Sequence, residues 1–146
     1  VWYQGLDTVP AGQFDDAFWQ QLLEVRDAVN KVLEVGRRDG KIGASLQAEV
    51  TLYAKGQLAT DLTSIGDELR FALLTSTAVV SSEAAPADAV ATEMDNLFVV
   101  LNASTAPKCD RCWHHRHDVG LNPAHPLICI RCVDNVEGAG EVRKFA

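Results

Sequence analysis

Four cysteines, arranged as two CxxC pairs, carry the most specific chemical signal in the sequence. Cys109 and Cys112 form the first pair and Cys129 and Cys132 the second, with 16 residues between the pairs and no cysteine elsewhere. Two thiolates on one tight turn can bind a metal ion, and a second such turn completes a tetrahedron, so this spacing predicts one structural Zn²⁺ per chain. Four thiolates leave no position for a water molecule, so the metal would stabilise the fold without catalysing a reaction. A disulfide or a dithiol redox centre is the alternative.

Histidines offer a second set of possible ligands around the cysteine pairs. One of them could replace a cysteine at the metal, although four thiolates already complete the tetrahedron. We therefore expect the imidazoles to be exposed, near phosphate if a polyanion binds there. The four histidines of the chain are His114, His115, His117 and His125.

The charges are unevenly distributed along the chain, whose net charge is −7. Residues 1–107 contain seven basic and fifteen acidic side chains, whereas residues 108–146 contain six basic and five acidic ones. The acidic part argues against nonspecific binding of nucleic acid. Any contact with a polyanion is therefore expected in the cysteine-containing part, where Arg111, Arg116 and Arg131 are the candidates.

Arg111 and Trp113 form the most suggestive pair of side chains beside the metal ligands. Arg111 lies inside the first CxxC turn and Trp113 directly follows it, so both are expected to project from a rigid turn. An exposed indole beside a guanidinium suits stacking on an unpaired base. The alternative is that Trp113 packs on the small interior of its own module. Arg131, at the equivalent place in the second turn, could contact phosphate or pair with an acid such as Asp110.

Signals for catalysis, export and membrane insertion are missing from the sequence. It contains no glycine-rich phosphate loop, no nucleophile elbow and no recognisable carboxylate pair, so we expect no catalytic residue. No apolar run approaches the roughly 18 residues that span a bilayer, which predicts no membrane partner. Reduced metal-binding cysteines without an export signal predict a cytoplasmic protein.

Hydrophobic periodicity places these residues in an α+β architecture. Apolar positions at intervals of three and four predict a helix over Asp16–Arg38, with Asp15 as its cap and Gly40 at its end. Alternation predicts a strand at 48–54, and composition predicts two more at 71–80 and 97–101. A short helix is expected from Thr60 or Asp61, and a solvated loop over 81–95. The predicted fold is a long helix on a small, mostly antiparallel three-stranded sheet, followed by a four-cysteine zinc-ribbon-like finger.

Several stretches together resemble the carboxy-terminal region of bacterial isoleucyl-tRNA synthetases, from about Trp2 to Ala146. The finger contributes KCDRCWH at 108–114 and CIRC at 129–132, and the body contributes VRDAVNKVLE at 25–34 and IGASLQAEVTLY at 42–53. Further matching stretches lie at 66–74, 118–120, 125–126, 135–136 and 143–146.

This resemblance implies a function for the chain as part of a longer enzyme. Residues 1–13 would end the helical anticodon-binding domain, 14–106 would form a small α+β tail domain (the body), and 107–146 the zinc finger (the finger). Isoleucine activation with ATP and its transfer to tRNA(Ile) would occur in absent upstream domains, so ATP is a ligand only there. The partners implied are the anticodon stem-loop of tRNA(Ile) and the remainder of the synthetase, in a monomer. We also interpret the start at Val1, without an initiator Met, as the tail of a longer protein.

The same resemblance assigns roles to individual residues. The family's zinc ligands fall on the four cysteines, and its finger contacts to the anticodon fall on Arg111 and Trp113. A purely structural zinc module for protein–protein or intramolecular docking is the alternative. A further alternative is the DNA-binding finger of formamidopyrimidine-type DNA glycosylases, which has similar spacing but differs in the preceding domain and in its amino-terminal Pro.

Overall fold

A computed structural model of the chain describes residues 14–145, so the prediction for 1–13 lies outside the described residues. The body opens with a long helix and a strand, continues with two helices and ends with three strands, and one helix follows in the finger. The helices are α1 (Asp16–Arg38), α2 (Gln57–Ile65), α3 (Leu69–Leu73) and α4 (Ile130–Glu137), and the strands are β1 (Ala48–Ala54), β2 (Thr77–Ser81), β3 (Val90–Ala91) and β4 (Leu97–Ala103). Among the described residues, none of the helices combines the length and the apolarity needed to cross a bilayer.

Helix α1 begins and ends where local sequence signals predict. Asp15 accepts a hydrogen bond from the backbone N–H of Phe18 at 2.8 Å, which caps the first turn. At the other end Gly40 adopts φ +74°, and the N–H of Lys41 bonds back to the carbonyl of Gly36. This is a Schellman ending, which favours glycine. Gly36 also allows close packing on the sheet, because a Cβ there would clash with Leu101.

The sheet has four strands in the order β2–β1–β4–β3. β1 pairs antiparallel with β4, and β3 pairs antiparallel with β4, whereas β1 and β2 are parallel and joined by α2 and α3. Parallel neighbours need such a crossover, which occupies the chain between the two strands. The predicted fold class is confirmed, but the sheet has one strand more than predicted because β3 lies within the expected 81–95 loop.

Two element boundaries also differ from the predictions. The segment predicted as a strand at 71–80 divides into α3, which ends at Leu73, and β2, which begins at Thr77. Short apolar runs are compatible with both types of element, so periodicity does not separate them. Helix α2 begins at Gln57, after Gly56 with φ +64°, and not at Thr60 or Asp61.

The core lies between the helices and one face of the sheet. The alternating residues of β1 are buried, as predicted, from Ala48 to Ala54. Val50 pairs with Leu101 and Leu52 with Val99 across the antiparallel ladder, so these residues share the core face. The apolar stripe of α1 and the buried residues of α2 and α3 cover this face of the sheet. The helix residues in the core are Leu22, Val25, Ala28, Val29, Val32, Leu33, Leu58, Ala59, Leu62, Ile65, Leu69 and Leu73.

Candidate metal centre

The two cysteine pairs are presented by different local structures. Around the first pair, Lys108 and His115 form an antiparallel bridge, and the N–H of Cys109 bonds to the carbonyl of His114 at 2.9 Å. In the second pair, Cys129 is the residue preceding α4 and Cys132 lies in the first turn of that helix. The positive end of the helix dipole favours thiolates at this position.

The four sulfur atoms form a cluster that fits one tetrahedral metal ion. All four Sγ atoms lie within 4.8 Å of one another, and the pairs Cys109–Cys132 and Cys112–Cys129 are each 3.7 Å apart. A tetrahedron with metal–sulfur bonds of ~2.3 Å has sulfur–sulfur edges of about 3.8 Å. The S–S bond of a disulfide is only ~2.05 Å long, so the four cysteines are free thiols. Their sulfur–sulfur distances are instead those expected around one metal ion.

Burial and backbone hydrogen bonds shift the pKa values of these thiols in opposite directions. Burial raises the pKa of Cys109, but backbone hydrogen bonds, led by the one from Cys112, outweigh it and lower the pKa from 9.0 to about 6. Burial raises the pKa values of Cys129 and Cys132. A bound cation would favour the thiolate form at all four positions.

Arginine side chains reach the sulfur atoms from both turns. Arg111, in the first turn, places Nη1 3.6 Å from the Sγ of Cys132 in the second. Arg131, in the second turn, lies near Cys112 of the first, and the two side chains stabilise each other's charged forms. Each arginine therefore approaches a sulfur of the opposite turn, and N–H donors at such positions stabilise metal-bound thiolates. Sequence patterns did not predict this role.

Trp113 is displayed on the surface and not packed in the finger. Its residue exposure is 60%, and the Nζ of Lys108 lies 5.3 Å from the indole centroid. Its backbone has φ +66°, and its N–H bonds to the carbonyl of Cys109 at 2.9 Å. The tight turn around the first cysteine pair thus forces Trp113 into the left-handed region, from which the indole projects outward.

Arg116 and Arg131 are both engaged in ion pairs. Arg131 pairs with Glu141 at 2.8 Å, in place of the Asp110 considered from sequence, and its guanidinium lies 5.1 Å from the Phe71 centroid. Arg116 lies 3.8 Å from the carboxylate of Asp118. Arg131 therefore faces the body, while Arg116 lies near the exposed His117.

The histidines are not uniformly exposed, which corrects the sequence prediction. His114 is only 8% exposed, packs edge-on against Phe71 at 5.7 Å and has its pKa lowered by burial. His115 donates from Nδ1 to the carbonyl of Ala106 at 2.8 Å, and His125 contacts Glu137. Within the part of the chain that the structure describes, the candidate metal-ligand cluster contains only cysteines.

Phe71 on α3 is the centre of the contact between finger and body, and sequence patterns did not single it out. The guanidinium carbons of Arg143 and Arg70 lie 4.0 and 4.1 Å from its ring centroid, in addition to the contacts of Arg131 and His114. Cation–π contacts of this kind hold arginines on an aromatic face. We call the five residues the Phe71 joint.

The last residues of the chain return to the body beyond this joint. The backbone N–H groups of Lys144 and Phe145 bond to the carboxylate of Glu68 at 2.6 and 2.7 Å. The ring of Phe145 lies 4.9 Å from that of Phe14, beside the start of α1. The finger is thus attached to the body at the Phe71 joint and again through its tail.

Fold and site together define a small α+β unit that carries a four-cysteine finger. Residues 107–135 match a family described as the zinc finger found in FPG and IleRS. That match covers the hairpin of the first cysteine pair and most of α4.

Comparison over the whole chain adds a second, broader similarity. The chain is 55% identical to the isoleucine–tRNA ligase of Shewanella sediminis, 58% to that of Shewanella putrefaciens and 56% to that of Shewanella oneidensis, in each case over 99% of this chain. The chain spans only 16% of the length of these relatives. It is therefore homologous to the carboxy-terminal region of isoleucine–tRNA ligases and carries a finger of the matching type.

Proposed function

We propose that this chain is the tRNA-binding carboxy-terminal segment of an isoleucine–tRNA ligase, where it helps to hold the anticodon stem-loop of tRNA(Ile). The observation that carries the proposal is the identity of 55–58% over 99% of the chain to such ligases. The exposed indole on a finger richer in basic residues than the body supports it. Activation of isoleucine with ATP and its transfer belong to parts of the ligase outside this chain, which itself contributes no catalytic residue.

The finger would hold one Zn²⁺ through Cys109, Cys112, Cys129 and Cys132. Sulfur–sulfur separations of 3.7 Å and the thiolate-favouring donors support this ligand set. When bound, the ion neutralises thiolate charge and ties α4 to the first cysteine turn. The role is structural, because four sulfur ligands complete the coordination.

The RNA contacts divide by their chemistry. Trp113 would stack on an unpaired base, and Arg111, exposed beside it, would contact phosphate while it supports the Cys132 sulfur. Arg116 would contact phosphate at the outer side of the finger. Arg131, which is 19% exposed, would approach RNA only at the edge of its ion pair with Glu141.

The chain organisation follows the same proposal. Residues 1–13 would complete the helical anticodon-binding domain, 14–106 the tail domain and 107–146 the finger, in a monomeric cytoplasmic enzyme. The remainder of the synthetase would be its second partner.

A purely structural finger is the second candidate, and the Phe71 joint is the observation that favours it. Arg131, Arg143 and His114 all face the body, so part of the finger's chemistry serves attachment. The family that matches the finger includes fingers of FPG as well as of IleRS. DNA binding of the glycosylase type is therefore the third function to be tested.

A binding comparison separates the three functions. The zinc-loaded 146-residue chain is titrated at low salt with an RNA hairpin carrying the tRNA(Ile) anticodon loop, with the same hairpin carrying another anticodon, and with duplex DNA. We expect the cognate hairpin to bind most tightly. Equal or tighter binding of duplex DNA would favour the glycosylase-type finger, and absence of binding to all three would favour a structural finger.

The salt dependence of the same titration tests Arg111. If Arg111 contacts a phosphate, Arg111→Ala should weaken binding and flatten the plot of log affinity against log salt by about 0.7 in slope. Asp110→Ala, next to it in the same turn, is the control and should not flatten the slope. A wild-type slope in zinc-loaded Arg111→Ala would contradict the phosphate contact.

A further inference from the structure

Two bulky residues adopt a backbone conformation that L-residues avoid. Among the described residues, Leu74 (φ +56°) and Trp113 (φ +66°) are the non-glycine residues with positive φ. A left-handed conformation is sterically costly for such side chains and is a genuine outlier for a bulky residue. Glycine would be the ordinary choice at both positions, at the end of α3 and after the first cysteine pair.

Burial does not compensate for this cost at either position. Leu74 is 51% exposed and Trp113 is 60% exposed, so both large apolar side chains face solvent. They lie 39 residues apart in sequence, yet both line one groove of about 410 Å³ between body and finger. Backbone strain of this kind clusters at active sites, ligand clamps and switch regions.

The walls of this groove are fixed to one another by a buried hydroxyl. Ser76, which has no exposed surface, donates from Oγ to the carbonyl of Leu46 and accepts from the N–H of His115 at 2.6 Å. Leu46 belongs to the turn at 43–47 that forms the body wall, and His115 belongs to the finger wall. The distance between Leu74 and Trp113 is therefore held by direct hydrogen bonds near both.

The polar groups at the rim suit a ligand that is flat and negatively charged at one side. Lys108 lines the groove with its ammonium over the indole, and Ser45, Gln47 and His115 contribute hydrogen-bonding groups. A nucleotide of single-stranded RNA offers a flat base for the apolar walls, hydrogen-bonding edges on that base and a phosphate for the cation. An aliphatic protein side chain would offer the cation no negative charge.

We propose that Leu74 and Trp113 form a clamp for one unpaired RNA base, with the indole on one side and the leucine side chain on the other. This inference rests on the proposed tRNA-binding function and goes beyond it, because it makes the body a part of the RNA site. The finger alone would then hold the base on one side only.

Leu74→Gly tests the clamp in the full zinc-loaded chain with the cognate anticodon hairpin. The change removes the side chain and relieves the left-handed strain, so the melting temperature should stay the same or rise. RNA affinity should fall about three- to tenfold, the effect of losing one half-buried leucine contact. Leu74→Met should retain most of the affinity. Leu23→Ala is the matched control, since Leu23 on α1 is also 51% exposed, and should bind like wild type.

Abasic nucleotides in the loop identify the clamped base. When the clamped base is the one removed, the hairpin should bind wild type and Leu74→Gly equally, because the contact between that base and Leu74 is already absent. If Trp113→Ala weakens binding but Leu74→Gly does not, the clamp is wrong while the proposed function stands. If both variants bind like wild type, the clamp and the stacking role of Trp113 are both wrong. The proposed function fails only if the wild-type chain shows no preference for the cognate hairpin.

Discussion

At the scale of single residues, Trp113 combines a structural cost with a surface role. Its left-handed backbone costs about 1–2 kcal/mol relative to glycine, and its indole is largely exposed. We predict that Trp113→Gly leaves the zinc-loaded chain as stable as wild type or about 1 kcal/mol more stable in denaturant unfolding. The same variant should bind the anticodon hairpin more weakly by roughly 1–3 kcal/mol, through lost stacking.

Leu127→Ala is the control for that experiment, because Leu127 is a finger residue with 63% exposure. It should alter neither stability nor RNA binding appreciably. A Trp113→Gly variant that loses several kcal/mol of stability would show that the indole supports the fold, contrary to its exposure.

Ser76 is a second residue at which a small substitution should strongly affect stability. Its buried hydroxyl joins the Leu46 carbonyl to the His115 N–H. We predict that Ser76→Ala lowers the free energy of unfolding by about 2 kcal/mol, since two partly buried backbone groups lose their hydrogen-bond partner. Urea unfolding measures this, with Ser64→Ala as control, because the Ser64 hydroxyl is exposed. A loss below about 0.5 kcal/mol would mean that water replaces the hydroxyl.

At the scale of elements, the tail after α4 depends on Glu141. Burial raises the pKa of Glu141, but the guanidinium groups of Arg131 and Arg143 outweigh it and hold the pKa below its ordinary value of 4.5. A lowered folded-state pKa gives stability that is present above pH 4.5 and lost as the pH falls through the folded value. Glu141 thus favours a docked tail at neutral pH.

We predict that Glu141→Gln costs about 1 kcal/mol of stability at pH 7 and that the difference from wild type shrinks below pH 4.5. Thermal unfolding of both proteins across this pH range measures it. Glu137→Gln provides the comparison, because Glu137 is more exposed and pairs with His125. A cost that does not change with pH would assign the effect of Glu141→Gln to packing.

The elements also show which parts of the structure local sequence could predict. Helix α1 was predicted to its terminal residues because its cap, apolar stripe and Gly40 are all local signals. The cysteine cluster was predicted because metal coordination restricts spacing. The division between α3 and β2 was missed because apolar runs fit both elements. Contacts such as Phe71 with Arg143 join residues distant in sequence and leave no local pattern.

At the scale of the whole molecule, body and finger differ in how their folding is stabilised. The body has one continuous core of helix and sheet residues, whereas the buried cluster of the finger consists of Cys109, Cys129 and Cys132. So small an interior cannot offset the chain entropy of folding, and metal binding should supply about 10 kcal/mol or more to the finger. The two parts are nevertheless joined, because Arg131 and His114 next to the ligands contact Phe71 on α3.

Removal of the metal should therefore affect both parts, but to different extents. We predict that the chain binds one Zn²⁺ and that chelation unfolds the finger, while α1 and the sheet keep their secondary structure. The melting temperature of the body should fall by several degrees, because the Phe71 joint and the tail contacts to Glu68 are lost with the finger. Metal analysis, circular dichroism and calorimetry with and without chelator measure these effects, and Cys132→Ser should reproduce the chelated state. An unchanged melting temperature of the body would show that the Phe71 joint does not couple the stability of the body to that of the finger. Unfolding of the body together with the finger would show that the two form one cooperative unit.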